Sequence, residues 1–81
     1  VLCVRNSSIA IDSIEIGSYV SLFALGPANG VHLRGCQWGL KGETLQPGTQ
    51  GLNNKATQSR IEFTVEEGAV LLCIEPIKVD P

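Results

Sequence analysis

The chain has 81 residues, of which 43% are apolar and only 5% aromatic, and a formal net charge of −2. A chain of that length makes one domain with a thin core, burying about 60% of the surface its unfolded form exposes, and its scattered Lys and Arg residues form no basic stripe, which argues against nucleic acid or an anionic membrane as partner. No apolar run approaches the roughly 20 residues that cross a bilayer, and Arg5 and Asn6 interrupt the apolar start too soon for a signal peptide, so a cytoplasmic protein is expected.

The apolar residues are mostly Val, Ile and Leu, which favour pleated surfaces, and nowhere do they keep helical spacing for more than a turn. The fold class expected is therefore all-β. In residues 8–16, Ile9 and Ile11 share one strand face, whereas Ile14 and Ile16 have the opposite parity; a bulge or turn at Asp12-Ser13 restores them to the same side. Tyr19-Val20-Ser21-Leu22-Phe23-Ala24-Leu25 is apolar on both faces and predicts a central strand covered on two sides. Gly26-Pro27-Ala28-Asn29-Gly30 follows as a turn, and Val31-His32-Leu33-Arg34 is predicted to return as the second arm of a hairpin, with Val31 and Leu33 inward.

Alternation continues through Cys36, Trp38 and Leu40, and then glycines dissolve it. The stretch from Gly35 to Ala56 holds the only tryptophan, five of the nine glycines and five of the eight Asn and Gln residues; it is predicted to start as a strand and become a loop. Beyond it, Ile61, Phe63 and Val65 alternate with polar residues, Glu66-Glu67-Gly68 is predicted to turn with a left-handed glycine, and residues 69–74 to return as a buried strand ended by Pro76. Six or so short antiparallel strands spell a small β-sandwich or barrel.

Side chains able to do chemistry are few. Neither phosphate-cradling glycine motif occurs. The three cysteines, Cys3, Cys36 and Cys73, are odd in number and lack a Cys-x-x-Cys pair, so they are read as reduced thiols rather than as disulfides or a zinc site. His32 is the one histidine and stands on a strand with no Ser or Cys nucleophile beside it, so it faces solvent or a sheet edge. Glu62, Glu66 and Glu67 sit on an outer face and a turn, Asp12 and Glu15 are too few to hold a metal, and Lys41 and Lys55 face water. No catalytic residue and no metal ligand is assigned.

Trp38 stands out. Its neighbours Cys36 and Leu40 suit a core residue, but Gln37, Gln46, Gln50, Asn53 and Asn54 surround it with neutral donors and acceptors, and glycines allow backbone to come close to a ligand. That company favours a flat polar ring stacked on the indole. For Asn53-Asn54 a turn and a ligand contact are equally consistent with the sequence.

From about residue 19 to 74 the chain resembles the carboxy-terminal, thiamine-binding domain of thiamine pyrophosphokinase. The points of resemblance are Gly35-Cys36-Gln37-Trp38-Gly39-Leu40, Gly42-Glu43-Thr44-Leu45, Gly48-Thr49-Gln50-Gly51-Leu52-Asn53-Asn54 and Glu66-Glu67-Gly68 before a buried strand. The resemblance implies a jelly-roll-like β-sandwich of antiparallel strands over residues 1–81, a single thiamine-binding domain. In the family it follows an α/β nucleotide-binding domain that carries ATP, Mg2+ and the catalytic aspartates. The whole enzyme converts ATP and thiamine to AMP and thiamine diphosphate.

On the same resemblance, Trp38, Asn53 and Asn54 are the thiamine-binding residues, with Trp38 beside the aminopyrimidine; Asn53 stands where the family usually has serine, and Gly39 where it has proline or asparagine. The sandwich is expected to share in a homodimer and, with no nucleotide domain before Val1, to need no cofactor of its own and to be inactive alone. Two readings of other classes use the same residues. One is a carbohydrate-binding, lectin-like module built on the aromatic platform; the other is a structural oligomerisation domain with Trp38 in its core or interface.

Overall fold

The computed structural model describes residues 1–76, with the backbone alone for 49–53. Six strands run in chain order: β1 (Leu2–Ile11), β2 (Tyr19–Ala24), β3 (Ala28–Arg34), β4 (Leu40–Leu45), β5 (Gly48–Lys55) and β6 (Ile61–Glu75). They form one antiparallel sheet in the order β4-β3-β6-β2-β5, with β1 also paired to β6. The first half of β6 lies between β3 and β1, and its second half between β2 and β1. The sheet curls at the middle of β6 into two layers, and this is the small all-β sandwich expected.

β6 is one strand of 15 residues where the sequence predicts a hairpin. Its buried positions switch from odd (Ile61, Phe63, Val65) to even (Val70, Leu72). A turn resets strand parity, but so does a bulge. Here the register with β1 shifts between Arg5 and Ser7, so residues 66–68 stand opposite Asn6 alone. Asn6, at φ 47, fills the gap by accepting a hydrogen bond from the Gly68 N–H at 2.8 Å.

Gly68 itself takes φ +113, and a Cβ there would lie 2.8 Å from the Pro27 carbonyl oxygen and 2.9 Å from Ala28 Cα. That close approach explains the second difference. β2 and β3 are not the arms of a hairpin; both pair with β6, on its two halves. The Leu25-Gly26-Pro27 segment carries the chain from one layer to the other directly over the bend, with the Leu25 N–H donating to the Ala69 carbonyl at 3.0 Å.

The core is the space between the layers. Val4, Val20, Leu22 and Ala24 come from one side, and Val31, Leu33, Ile61, Phe63 and Val65 from the other. β2 is central but covered on one face only, because Tyr19 and Phe23 point outward, about 40% exposed (Tyr19 40%, Phe23 42%). β1 ends at Ile11, and Ser13 at φ 62 turns the chain; Ile14 packs against the core while Ile16 is exposed, so only one of the two is brought back inside.

β4 and β5 are strands where a loop is predicted. Each is paired on one side only, β4 with β3 and β5 with β2. β4 exposes four of its six side chains, and a strand in that position needs no apolar alternation to hold its place. No helix among the described residues is long and apolar enough to cross a membrane.

Candidate functional site

The site begins where β3 ends. Gly35 takes φ +95, and a Cβ there would collide with the Arg60 carbonyl oxygen; its own carbonyl accepts from the N–H groups of Thr57 at 2.8 Å and Gln58 at 3.3 Å. This sets residues 35–38 alongside the end of β5. Cys36 bridges Ala56, and the Gln37 N–H donates to the Lys55 carbonyl at 2.8 Å. The predicted strand through Trp38 is thus only a short bridge, and β4 starts at Leu40.

At Trp38 the side chain of Asn54 takes over the pairing. The Trp38 N–H donates to Asn54 Oδ1 at 3.0 Å, and Asn54 Nδ2 donates to the Trp38 carbonyl at 2.8 Å. Asn54 Oδ1 also accepts from the Lys55 N–H at 3.0 Å. The two residues occupy opposite environments, Asn54 being 4% exposed and Trp38 57%. A buried amide therefore holds a peptide whose indole projects into solvent.

Of the three residues expected to meet a ligand, Trp38 and Asn54 are brought together. Asn53 lies in β5 at the register shift opposite Ser21, and its side chain is outside the described residues. The amide groups of the stretch were legible in the sequence as a group. What was not legible is that Asn54 is one of two buried polar residues, with Ser18, among the described residues.

The surroundings are close to neutral. Lys55 reaches over the Tyr19 ring, its Nζ 5.3 Å from the ring centroid, which engages its charge at β2. Burial pushes the Cys36 thiol up from 9.0 to about 11. Because the protonated form is favoured in the folded state, this group adds nothing to the pH dependence of stability below pH 9.0 and lowers stability as pH rises from there towards about 11. With iodoacetamide at pH 8, exposed Cys3 is expected to be carbamidomethylated first and Cys36 at least about tenfold more slowly; peptide mapping over time checks it, and comparable rates at the two sites would contradict the burial.

Two grooves lie on other surfaces. One of about 390 Å3 crosses the outer face of the first layer over His32, Arg34, Glu62, Thr64 and Glu66, where His32 Nε2 stands 3.4 Å from Glu66 Oε2. Another of about 430 Å3 is lined by Leu2, Ile11, Ile14, Ile74 and neighbours. Neither is lined by Trp38 or Asn54, so size of concavity and placement of the aromatic disagree. We weigh the aromatic more heavily, since the first groove is an open, charged strand face of the kind water fills. Asp12, paired in sequence with Glu15, instead meets Arg60 at 2.9 and 3.0 Å.

Fold and site together define a class: a small antiparallel β-sandwich that presents its most exposed aromatic, Trp38, from a segment braced by a buried amide. The chain belongs to the family described as thiamin pyrophosphokinase, vitamin B1 binding domain, whose model matches residues 6–70. Among solved structures it is similar to thiamine pyrophosphokinase from Bacillus subtilis, with a TM-score of 0.82 at 17% identity over 94% of this chain and 37% of that one. A thiamin pyrophosphokinase family protein from Enterococcus faecalis gives a TM-score of 0.78 at 16% identity over 94% and 36%. The chain thus spans little more than a third of the length of these structures. No curated protein matches it.

Proposed function

We propose that this chain binds thiamine against the face of Trp38, as the vitamin-binding part of a thiamine pyrophosphokinase. The observation that carries the reading is an indole 57% exposed and yet anchored through its own peptide, inside the segment the family model matches. An aminopyrimidine offers a π face to the indole and an edge of donors and acceptors, and the thiazolium cation is favoured near an aromatic face. Asn53 and Asn54, near the end of β5, are the other residues of the proposed thiamine site, Asn54 through its hydrogen bonds to Trp38.

An exposed platform covers one side of a ring. The other wall is proposed to come from the nucleotide-binding domain of a partner subunit, and the sandwich is inactive alone. ATP and Mg2+ belong to that domain in this proposal. A cytoplasmic homodimer is proposed. It is supported by the outward apolar face of β2, where Tyr19 and Phe23 are exposed and Phe23 pairs in register with the partly buried Leu71.

The test is a thiamine titration of the sandwich joined to its nucleotide-binding domain, followed by calorimetry, with the fluorescence of Trp38 followed in the sandwich. Trp38→Ala is expected to weaken thiamine binding by about five- to 150-fold, as loss of a stacking contact worth about 1–3 kcal/mol would. Thiamine affinity unchanged by Trp38→Ala would overturn the reading, as would binding of sugars with no response to thiamine, which favours the lectin-like alternative. Emission unmoved by thiamine in a chain that dimerises regardless favours the oligomerisation domain.

A further inference from the structure

Resting on the proposed thiamine site, we infer that Asn54 is a positioning residue: it acts on the bound ring through Trp38 and does not itself touch the ligand. The hydrogen-bonding capacity of its amide decides this. A primary amide offers two acceptor sites on oxygen and two N–H donors. Both acceptor sites are occupied inside the protein, by the N–H groups of Trp38 and Lys55, each at 3.0 Å, and one donor is committed to the Trp38 carbonyl at 2.8 Å. At 4% exposure the side chain has almost no surface left for a ring standing over an indole.

What the amide does instead follows from its shape. It presents one donor and one acceptor in a plane, as a peptide does, and it meets the N–H and the C=O of a single residue. It continues the pairing of residues 35–37 with 55–57 by one rung, at the point where the two backbones part. Without that rung Trp38 would sit in an irregular segment between Gly35 and Gly39, free to sample other directions. With it, the backbone that carries the indole is held in one place before a ligand arrives, and the cost of ordering that segment is not met on binding.

Other side chains fill the role incompletely. Asp retains the acceptor for both N–H groups but brings an oxygen against the Trp38 carbonyl, and Ala removes the rung. These two substitutions, crossed with Trp38→Ala, separate action through Trp38 from direct contact.

The experiment measures thiamine affinity by calorimetry for the sandwich joined to its nucleotide-binding domain, unsubstituted and as Asn54→Ala, Asn54→Asp, Trp38→Ala and the two double variants, together with near-ultraviolet circular dichroism of the ligand-free sandwich, in which Trp38 is the one indole. Asn54→Ala is expected to weaken binding about five- to tenfold when Trp38 is present and less than about twofold when it is Ala. The near-ultraviolet indole signal is expected to flatten in both Asn54 variants while the far-ultraviolet spectrum stays that of a sheet. Asn54→Asp keeps the side-chain size and serves if Asn54→Ala does not fold.

Equal losses in the two Trp38 backgrounds, or an indole signal unchanged by either substitution, would overturn the inference. If the unsubstituted sandwich joined to its nucleotide-binding domain does not bind thiamine, the proposed ligand fails, and the indole signal alone still decides whether Asn54 holds Trp38.

Discussion

Gly68→Ala is expected to destabilise the domain by about 2–5 kcal/mol, the sum of a left-handed backbone cost of about 1–2 kcal/mol and a packing conflict of about 1–3 kcal/mol. The conflict is with backbone: the added Cβ would stand 2.8 Å from the Pro27 carbonyl oxygen and 2.9 Å from Ala28 Cα, neither of which can rotate away. A domain of this size holds about 4–12 kcal/mol in total at 0.05–0.15 kcal/mol per residue, so the change removes a large share of it. Thermal melting is expected to fall by about 8 °C or more, at about 4–8 °C per kcal/mol.

Two other glycines separate the components. Gly48 takes φ +115 with open space around its missing Cβ, so Gly48→Ala carries the backbone cost alone, about 1–2 kcal/mol. Gly26 has open space and no left-handed φ, so Gly26→Ala is expected to lie within about 1 kcal/mol of the unsubstituted chain. The order Gly26, Gly48, Gly68 in increasing loss is the result to check by urea titration. A Gly68→Ala loss no larger than that of Gly48→Ala would mean that the crossing at Pro27 and Ala28 does not press on the bend.

The bend also marks where sequence reasoning stops. Alternation correctly gives the buried face of Val31 and Leu33 and of Ile61, Phe63 and Val65; the runs expected to be buried on both faces bury alternate members only, Val20, Leu22 and Ala24 in one and Val70 and Leu72 in the other, and Val4 of β1 joins the core unannounced. Alternation reports which face a residue takes and says nothing of which strand lies next to it. A parity change between Val65 and Val70 fits a hairpin or a bulge equally well, and only the long β1 running past both halves distinguishes them. The same limit hides β4 and β5, whose place rests on backbone pairing at the edges of the sheet.

At the site the limit is of another kind. Composition gathered Trp38, Asn53 and Asn54 into one stretch, but residues 16 apart in sequence give no sign that a buried amide of one is bonded to the peptide of the other. Trp38 also alternates with Cys36 and Leu40 as a strand residue would, though the segment bends away from the ladder after Gln37. The resemblance reached, through residue order, the family whose model matches residues 6–70, while the bonds between Asn54 and the Trp38 backbone are visible only in the folded chain.

The chain has two phenylalanines, and they are expected to respond in opposite ways. Phe63 is 1% exposed and stands in the centre of the first layer, in register with Ile9 of β1 on one side and Leu33 of β3 on the other. Truncation there leaves a cavity that strands paired on both sides cannot close, and Phe63→Ala is expected to cost about 3–5 kcal/mol. Against about 4–12 kcal/mol in total, that removes from about a quarter of the stability to all of it. Phe23 lies outward on β2 and is 42% exposed. Phe23→Ala is expected to change the stability of the monomer by less than about 1 kcal/mol, within the range of surface substitutions. If the outward face is a dimer contact, the loss appears instead as a concentration-dependent melting point that the substitution abolishes. Urea unfolding at two protein concentrations distinguishes the two: a Phe63→Ala loss as small as that of Phe23→Ala would contradict the layer assignment, and a Phe23→Ala loss at all concentrations would place that ring in the core.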